Sequence, residues 1–193
     1  MLRDGRFYRL LPAALAPGFL ITALFFHQAT IADAQGWSLS WLASSFVAFA
    51  AGHVTGLLLA GTLVDRFGAL RLVRVFPLPL IVGIALLAVG NHPWIAPLYL
   101  LLAGLSVGAT GPISSALLAE LYGTRRLGAI RSLAYAAAIL MTALAPVRAG
   151  LLLDAGISVT DLSLSFAGYG IAGSLLAATV GLGGKPGNRS AFP

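Results

Sequence analysis

Apolar residues in this chain come in long blocks broken by short polar punctuation, with no sustained alternation. A helix needs about 20 apolar residues to cross the hydrocarbon core of a bilayer. Six blocks approach that length, at residues 10–31, 41–63, 73–89, 94–118, 132–153 and 162–180. They predict an all-α membrane protein with six transmembrane helices. Barrel strands would show as short alternating segments, which the sequence lacks. After the sixth block, Gly181-Leu-Gly-Gly-Lys185-Pro-Gly-Asn-Arg189 reads as a polar tail. The expected organisation is an arm over 1–9, a six-helix domain over 10–181 and a tail over 182–193.

The charges give these helices a direction, because basic residues near span ends stay on the cytoplasmic side. Arg3, Arg6 and Arg9 precede the first block, and Arg66, Arg71 and Arg74 lie between the second and third. Arg125, Arg126 and Arg131 lie between the fourth and fifth, and Lys185 and Arg189 close the chain. Of the 12 basic residues only Arg148 falls elsewhere. The alternate loops around Asp33, Asn91 and Asp154 carry no basic residue. Both termini are therefore expected in the cytoplasm, with the chain in a bacterial inner (plasma) membrane. Ala32-Asp33-Ala34 imitates a signal-peptide cleavage site, but the run before it is roughly 22 residues long, beyond a signal h-region. It also contains Pro12, Pro17, His27 and Gln28, so it reads as a retained span.

Composition narrows the classes further. The chain is 59% hydrophobic and 9% charged, with a mean hydropathy of +0.93, whereas soluble domains are about a quarter charged. The net charge of +6 reflects sorting across a membrane and not a nucleic-acid surface. No cysteine is present, so neither disulfides nor thiolate metal sites arise. No phosphate loop or zinc spacing is visible, and no cofactor or metal is expected.

Gly61-Thr-Leu-Val-Asp65-Arg66-Phe-Gly68-Ala-Leu-Arg71 separates the second and third blocks. It resembles the G-x-L-x-D-R-x-G loop of the major facilitator superfamily, which joins the second and third helices of each six-helix half. The resemblance implies a fold of three-plus-three inverted repeats and a latching role in alternating access for Gly61, Asp65, Arg66, Gly68 and Arg71. An echo, Gly150-Leu-Leu-Leu-Asp154-Ala-Gly156, follows 89 residues later (150 minus 61), close to half of the 193 residues. It lies at the end of the second span of the second three-span unit, as an inverted repeat would place it.

Ala69 and Leu70 stand where first halves of that family carry a basic pair, and the fourth block has no arginine. Both features point to a second half. Thr22-Ala-Leu-Phe-Phe-His27-Gln28, Gly36-Trp37-Ser38 and Glu120-Leu-Tyr-Gly123-Thr-Arg125-Arg126-Leu-Gly128 are similar to second halves of bacterial monocarboxylate-type members. Complete members have twelve spans, so a second six-helix half or a second copy is an expected partner.

Polar groups inside a bilayer are costly and become functional candidates. Arg148, in the outer part of the fifth block, can bind a carboxylate or pair with Asp154. His53, near the middle of the second block, is the better proton-coupling candidate, and His27 and Gln28 with Thr22 lie nearer the outer mouth. His92 reads as a loop residue. In the fourth block Gly104, Gly108, Gly111 and Ser115 form a packing stripe, while Ser106, Thr110 and Ser114 form a polar one about 130° away, by the rough 100° per residue. Pro112, Pro146 and Gly150 allow bending. Gly104-Leu-Ser106-Val-Gly108 fits a nucleophile elbow, which would pair Ser106 with His53 in a hydrolase, but an elbow needs a strand-to-helix turn and this one lies in an apolar helix. Asn188-Arg-Ser190 is a glycosylation sequon on the cytoplasmic tail.

The expectation is a secondary transporter for a small organic anion such as a monocarboxylate, with H+ as a candidate coupling ion. The alternative is a non-transporting membrane scaffold, or an inactive half, assembled through the small-residue stripe.

Overall fold

The computed structural model describes residues 5–125 and 127–181. Arg3, Arg126 and the tail with Lys185 and Arg189 lie outside the described residues. The described residues are 86% helical, in eight helices: α1 (Gly5–Phe26), α2 (Gln28–Gln35), α3 (Leu39–Phe67), α4 (Ala69–Leu72), α5 (Leu78–Val89), α6 (Ile95–Tyr122), α7 (Leu127–Asp154) and α8 (Val159–Ala178). Among the described residues there is no strand. Among the described residues four helices, α1, α3, α6 and α7, are long and apolar enough to cross a membrane.

The helices depart from the apolar blocks at two places, each with a local cause. The first block breaks at His27, after which α2 runs for eight residues and stops at Gly36 in the left-handed conformation, φ 69° and ψ 26°. In the third block only Leu78–Val89 is helical, 12 residues and too short to span alone. Pro77 and Pro79 lack the N–H groups that a helix interior needs and are tolerated only in its first turn. The preceding turns satisfy their own backbone: Val75 and Phe76 N–H donate to Leu72 O, and Leu78 N–H to Val75 O. The remaining N–H, on Leu80, donates to Ser106 Oγ at 3.0 Å. Irregular backbone at membrane depth needs this complete accounting.

Other helix ends follow side-chain chemistry. Ser158 Oγ accepts from Asp161 N–H and donates to the Asp161 carboxylate, which also suits the positive end of α8. Ser38 Oγ accepts from Trp41 N–H at the start of α3.

Helix α3 packs along α6, α5 lies between α6 and α8, and α1 lies against α7 and α8 with a lighter contact to α6. The start of α1, the ends of α3, α6 and α8, and α4 meet at one end around Leu10, Leu72, Val73, Phe76, Leu117 and Val180. The described arginines other than Arg148 belong to segments of this end. All three tryptophans lie at the other end, where Trp37 Nε1 donates to Asn91 O, Trp41 Nε1 donates to Pro93 O, and Trp41 meets Trp94 edge-on at 5.7 Å. A belt of indoles with anchored N–H groups suits a membrane–water boundary.

Candidate functional site

The most closely packed pair is α3 with α6, and glycine is the reason. Gly52 and Gly56 of α3 lie against the Leu101 and Leu105 carbonyls, while Gly104 and Gly108 of α6 lie against the Phe49 and His53 carbonyls. A Cβ at any of the four would overlap a backbone oxygen. In lipid, where apolar side chains gain little by leaving the solvent, such close approach is what holds helices together. The sequence stripe on α6 is thereby divided: Gly104 and Gly108 face α3, whereas Gly111 meets nothing within 4 Å and opens onto a cleft.

His53 sits on this seam. Its ring lies 5.9 Å from that of Phe49, and its Nδ1 is buried without a hydrogen-bond partner. No hydrogen bond joins it to Ser106, whose hydroxyl is turned to α5 and accepts from Leu80 N–H.

The cleft lies between α1, α6 and α7 and has a volume of about 490 Å³. Gly18 lets α7 come close, with Thr142 Cγ2 3.4 Å from where a Cβ would stand. Leu11, Leu15, Leu118, Ala138 and Ile139 supply apolar wall. Thr110, Ser114, Ser115 and Thr142 add hydroxyls, and Arg131 and Tyr135 line the cleft at the start of α7. Thr110 donates to Ser106 O at 3.0 Å, and Thr142 to Ala138 O and Ile139 O at 3.0 and 2.9 Å. These two protons are used within their own helices, so toward the cleft the threonines offer lone pairs. Arg131 is the one charged side chain among the described residues lining the cleft. The polar stripe of the fourth block is thus split, with Thr110 and Ser114 in the cleft and Ser106 behind it.

No family model matches the chain, and neither does any curated protein.

The remaining candidates lie apart from the cleft. Thr22 Oγ1 donates to Gly18 O at 2.7 Å. His27 Nδ1 pairs with Ala23 O at 2.8 Å, and its Nε2 faces Gly150 of α7, 3.4 Å from where a Cβ would be. Gln28 Nε2 donates to the Tyr99 hydroxyl, and Gln28 Oε1 is buried without a partner. Arg148 is exposed on α7 near Leu144 and Leu151, themselves 51% and 65% exposed. It makes no ion pair with Asp154.

In the charged turn, Gly61 is exposed with open space around it, and Asp65 has no hydrogen-bond or ion-pair partner among the described residues. Arg66 lies over the Phe67 ring at 5.3 Å, and Arg71 is exposed. Gly68 has φ 80° and ψ 148°, a conformation that is essentially glycine's alone. That turn aims the next two N–H groups at Glu120: Ala69 N–H donates to Oε1 at 2.6 Å and Leu70 N–H to Oε2 at 3.0 Å. Arg74 donates to Val180 O, tying the same segment to the end of α8.

The carboxylate that accepts the N–H groups at the start of α4 is thus Glu120 of α6, and not Asp65 of the turn itself. Glu120→Ala would leave the part-buried Ala69 N–H without its acceptor. We expect a loss of about 1–2 kcal/mol in a denaturant or thermal melt, as for a lost helix cap, with Asp65→Ala close to neutral.

Sequence reasoning passed over Glu120 and Arg131. Glu120 had a readable signal in its position three residues before Gly123, at the foot of an apolar helix. Arg131 was absorbed into the count of orienting charges.

Proposed function

We propose that this chain is one six-helix half of a secondary transporter that carries a small organic anion by alternating access, with the arginine-rich end in the cytoplasm. The observation that carries the reading is the cleft of α1, α6 and α7, whose one charged group among the described residues is Arg131. Guanidinium binds carboxylates through paired hydrogen bonds, and a lone cation in a low-dielectric wall favours an anionic solute.

The helix pairing supports a three-plus-three repeat. Exchanging α1, α3 and α5 with α6, α7 and α8 turns the α3–α6 contact into α7–α1 and the α5–α6 contact into α8–α1. The contacts α5–α8 and α1–α6 map onto themselves. Inverted repeats give such a pattern, with the solute site at their interface. It agrees with the major facilitator resemblance of the turn from Gly61 to Arg71.

Arg148 supports a second half or a second copy of the chain. An unpaired arginine on an exposed apolar helix face is expensive against lipid and ordinary against water or a protein partner. His53, with its partnerless buried nitrogen, is the candidate for H+ coupling. A scaffold assembled through the glycine stripe is less well supported, since Gly104 and Gly108 are occupied within the chain.

The test is uptake of a labelled monocarboxylate by the purified chain in proteoliposomes, with the oligomeric mass recorded. Saturable uptake and counterflow are expected from a self-paired assembly. A folded protein that shows neither overturns transport by this chain.

A further inference from the structure

The chemistry of the cleft wall goes beyond a generic organic anion. Arg131 and Tyr135 line it at the start of α7, four and eight residues past Leu127. Thr142 lies eleven residues beyond Arg131, about 16 Å along the helix axis. Between them the wall is made of Leu11, Leu15, Leu118, Ala134, Ala138 and Ile139. No second cation lines the cleft among the described residues, and the Thr110 and Thr142 protons are already donated to helix carbonyls. A small hydroxy- or keto-acid would find Arg131 for its carboxylate and the hydroxyls of Ser114, Ser115 or Tyr135 for its other oxygen, but it would leave the long apolar wall in contact with water.

We propose that the cleft binds a free, single-chain carboxylate with an apolar tail, the carboxylate on Arg131 and the tail lying along α7 toward Thr142. Its polar end meets the one guanidinium and its tail covers the leucine and alanine wall, so charge and apolar area are satisfied by the same molecule. This rests on the proposed role of the cleft as the solute site and names the class of solute. Burial of each added methylene raises affinity by up to about fourfold, so binding should strengthen along a homologous series, an effect a purely electrostatic site would not show.

The experiment is equilibrium binding of radiolabelled octanoate to the purified chain in neutral detergent, with butyrate, hexanoate, lactate and phosphatidylglycerol as competitors, followed by octanoate and lactate uptake in proteoliposomes. Octanoate is expected to bind at least about tenfold tighter than butyrate, with hexanoate between them and lactate weakest. Arg131→Ala should weaken octanoate at least about tenfold, and Arg131→Lys, which keeps a charge but not the paired donors, should fall between. Equal binding of butyrate and octanoate, lactate as the tighter ligand, or no octanoate binding by a folded protein would overturn the proposal. Displacement of octanoate by phosphatidylglycerol at lower concentration would also overturn it, assigning the cleft to membrane lipid. Octanoate binding without uptake would uphold the ligand class and defeat the transport reading. Lactate uptake with no chain-length dependence would do the reverse.

Discussion

Replacing Gly108 with valine is expected to leave little or no folded protein. A Cβ at that position overlaps the His53 carbonyl oxygen, and the obstruction is backbone that cannot rotate away. The two helices would have to separate along a seam whose other contacts, at Gly52, Gly56 and Gly104, depend on the same spacing. Overpacking a flexible core costs roughly 1–3 kcal/mol. A clash between two helix backbones should reach the upper end of that range or exceed it, a large share of the stability of a small domain. Gly111→Ala is the internal comparison, one turn further along the same helix, where an added Cβ meets nothing within 4 Å. It should express and melt like the parent, or slightly better because alanine favours helix. Equal recovery of folded Gly108→Val and Gly111→Ala from a detergent size-exclusion column would contradict the seam.

The second large effect is functional. Arg131→Ala should reduce carboxylate uptake about tenfold to a hundredfold while leaving folded yield unchanged. The side chain is exposed to the cleft and supports no other described element, so its removal need not disturb packing. A hydrogen bond to a charged group is worth about 1.5–3 kcal/mol, which sets that range. Arg148→Ala, on a different face of α7 and outside the cleft lining, should leave binding in the cleft unchanged. The reverse ranking in the uptake assay would move the anion site from the cleft to the exposed face of α7.

Much of the architecture was legible because lipid imposes strong rules on sequence. Long apolar blocks gave α1, α3, α6 and α7, and the one-sided arginines pointed to the end where α4 and the ends of α3, α6 and α8 gather. Proline chemistry, which hydropathy averages ignore, shortened the third block to Leu78–Val89. Half of the glycine seam was visible as Gly104 and Gly108. Its counterpart, Gly52 and Gly56, was less visible among the alanines and leucines of α3, since a seam is a property of two helices and one sequence stripe shows only one side.

The site was harder to read for the same reason. Ser106, Thr110 and Ser114 share a helical face in sequence, yet a neighbouring helix start claims Ser106 while the other two line the cleft. Asp65 stands in the motif, yet the conformation of Gly68 turns the following N–H groups to Glu120, about fifty residues further along the chain. Arg131 looked like an orienting charge because position along the chain cannot separate a charge that faces water from one that lines a cleft.

That the cleft is the water-filled path of an anionic solute can be tested at one residue. The chain has no cysteine, so Ser114→Cys places a unique thiol in the cleft wall. Labelling would use a membrane-impermeant maleimide applied to either face of sealed vesicles, with and without octanoate. The expected result is rapid labelling from the face bearing the arginine-rich end, slowed by octanoate in the parent background and not when Arg131 is alanine. A thiol that stays unlabelled from both faces in the folded protein, or one whose labelling octanoate does not change, would contradict it.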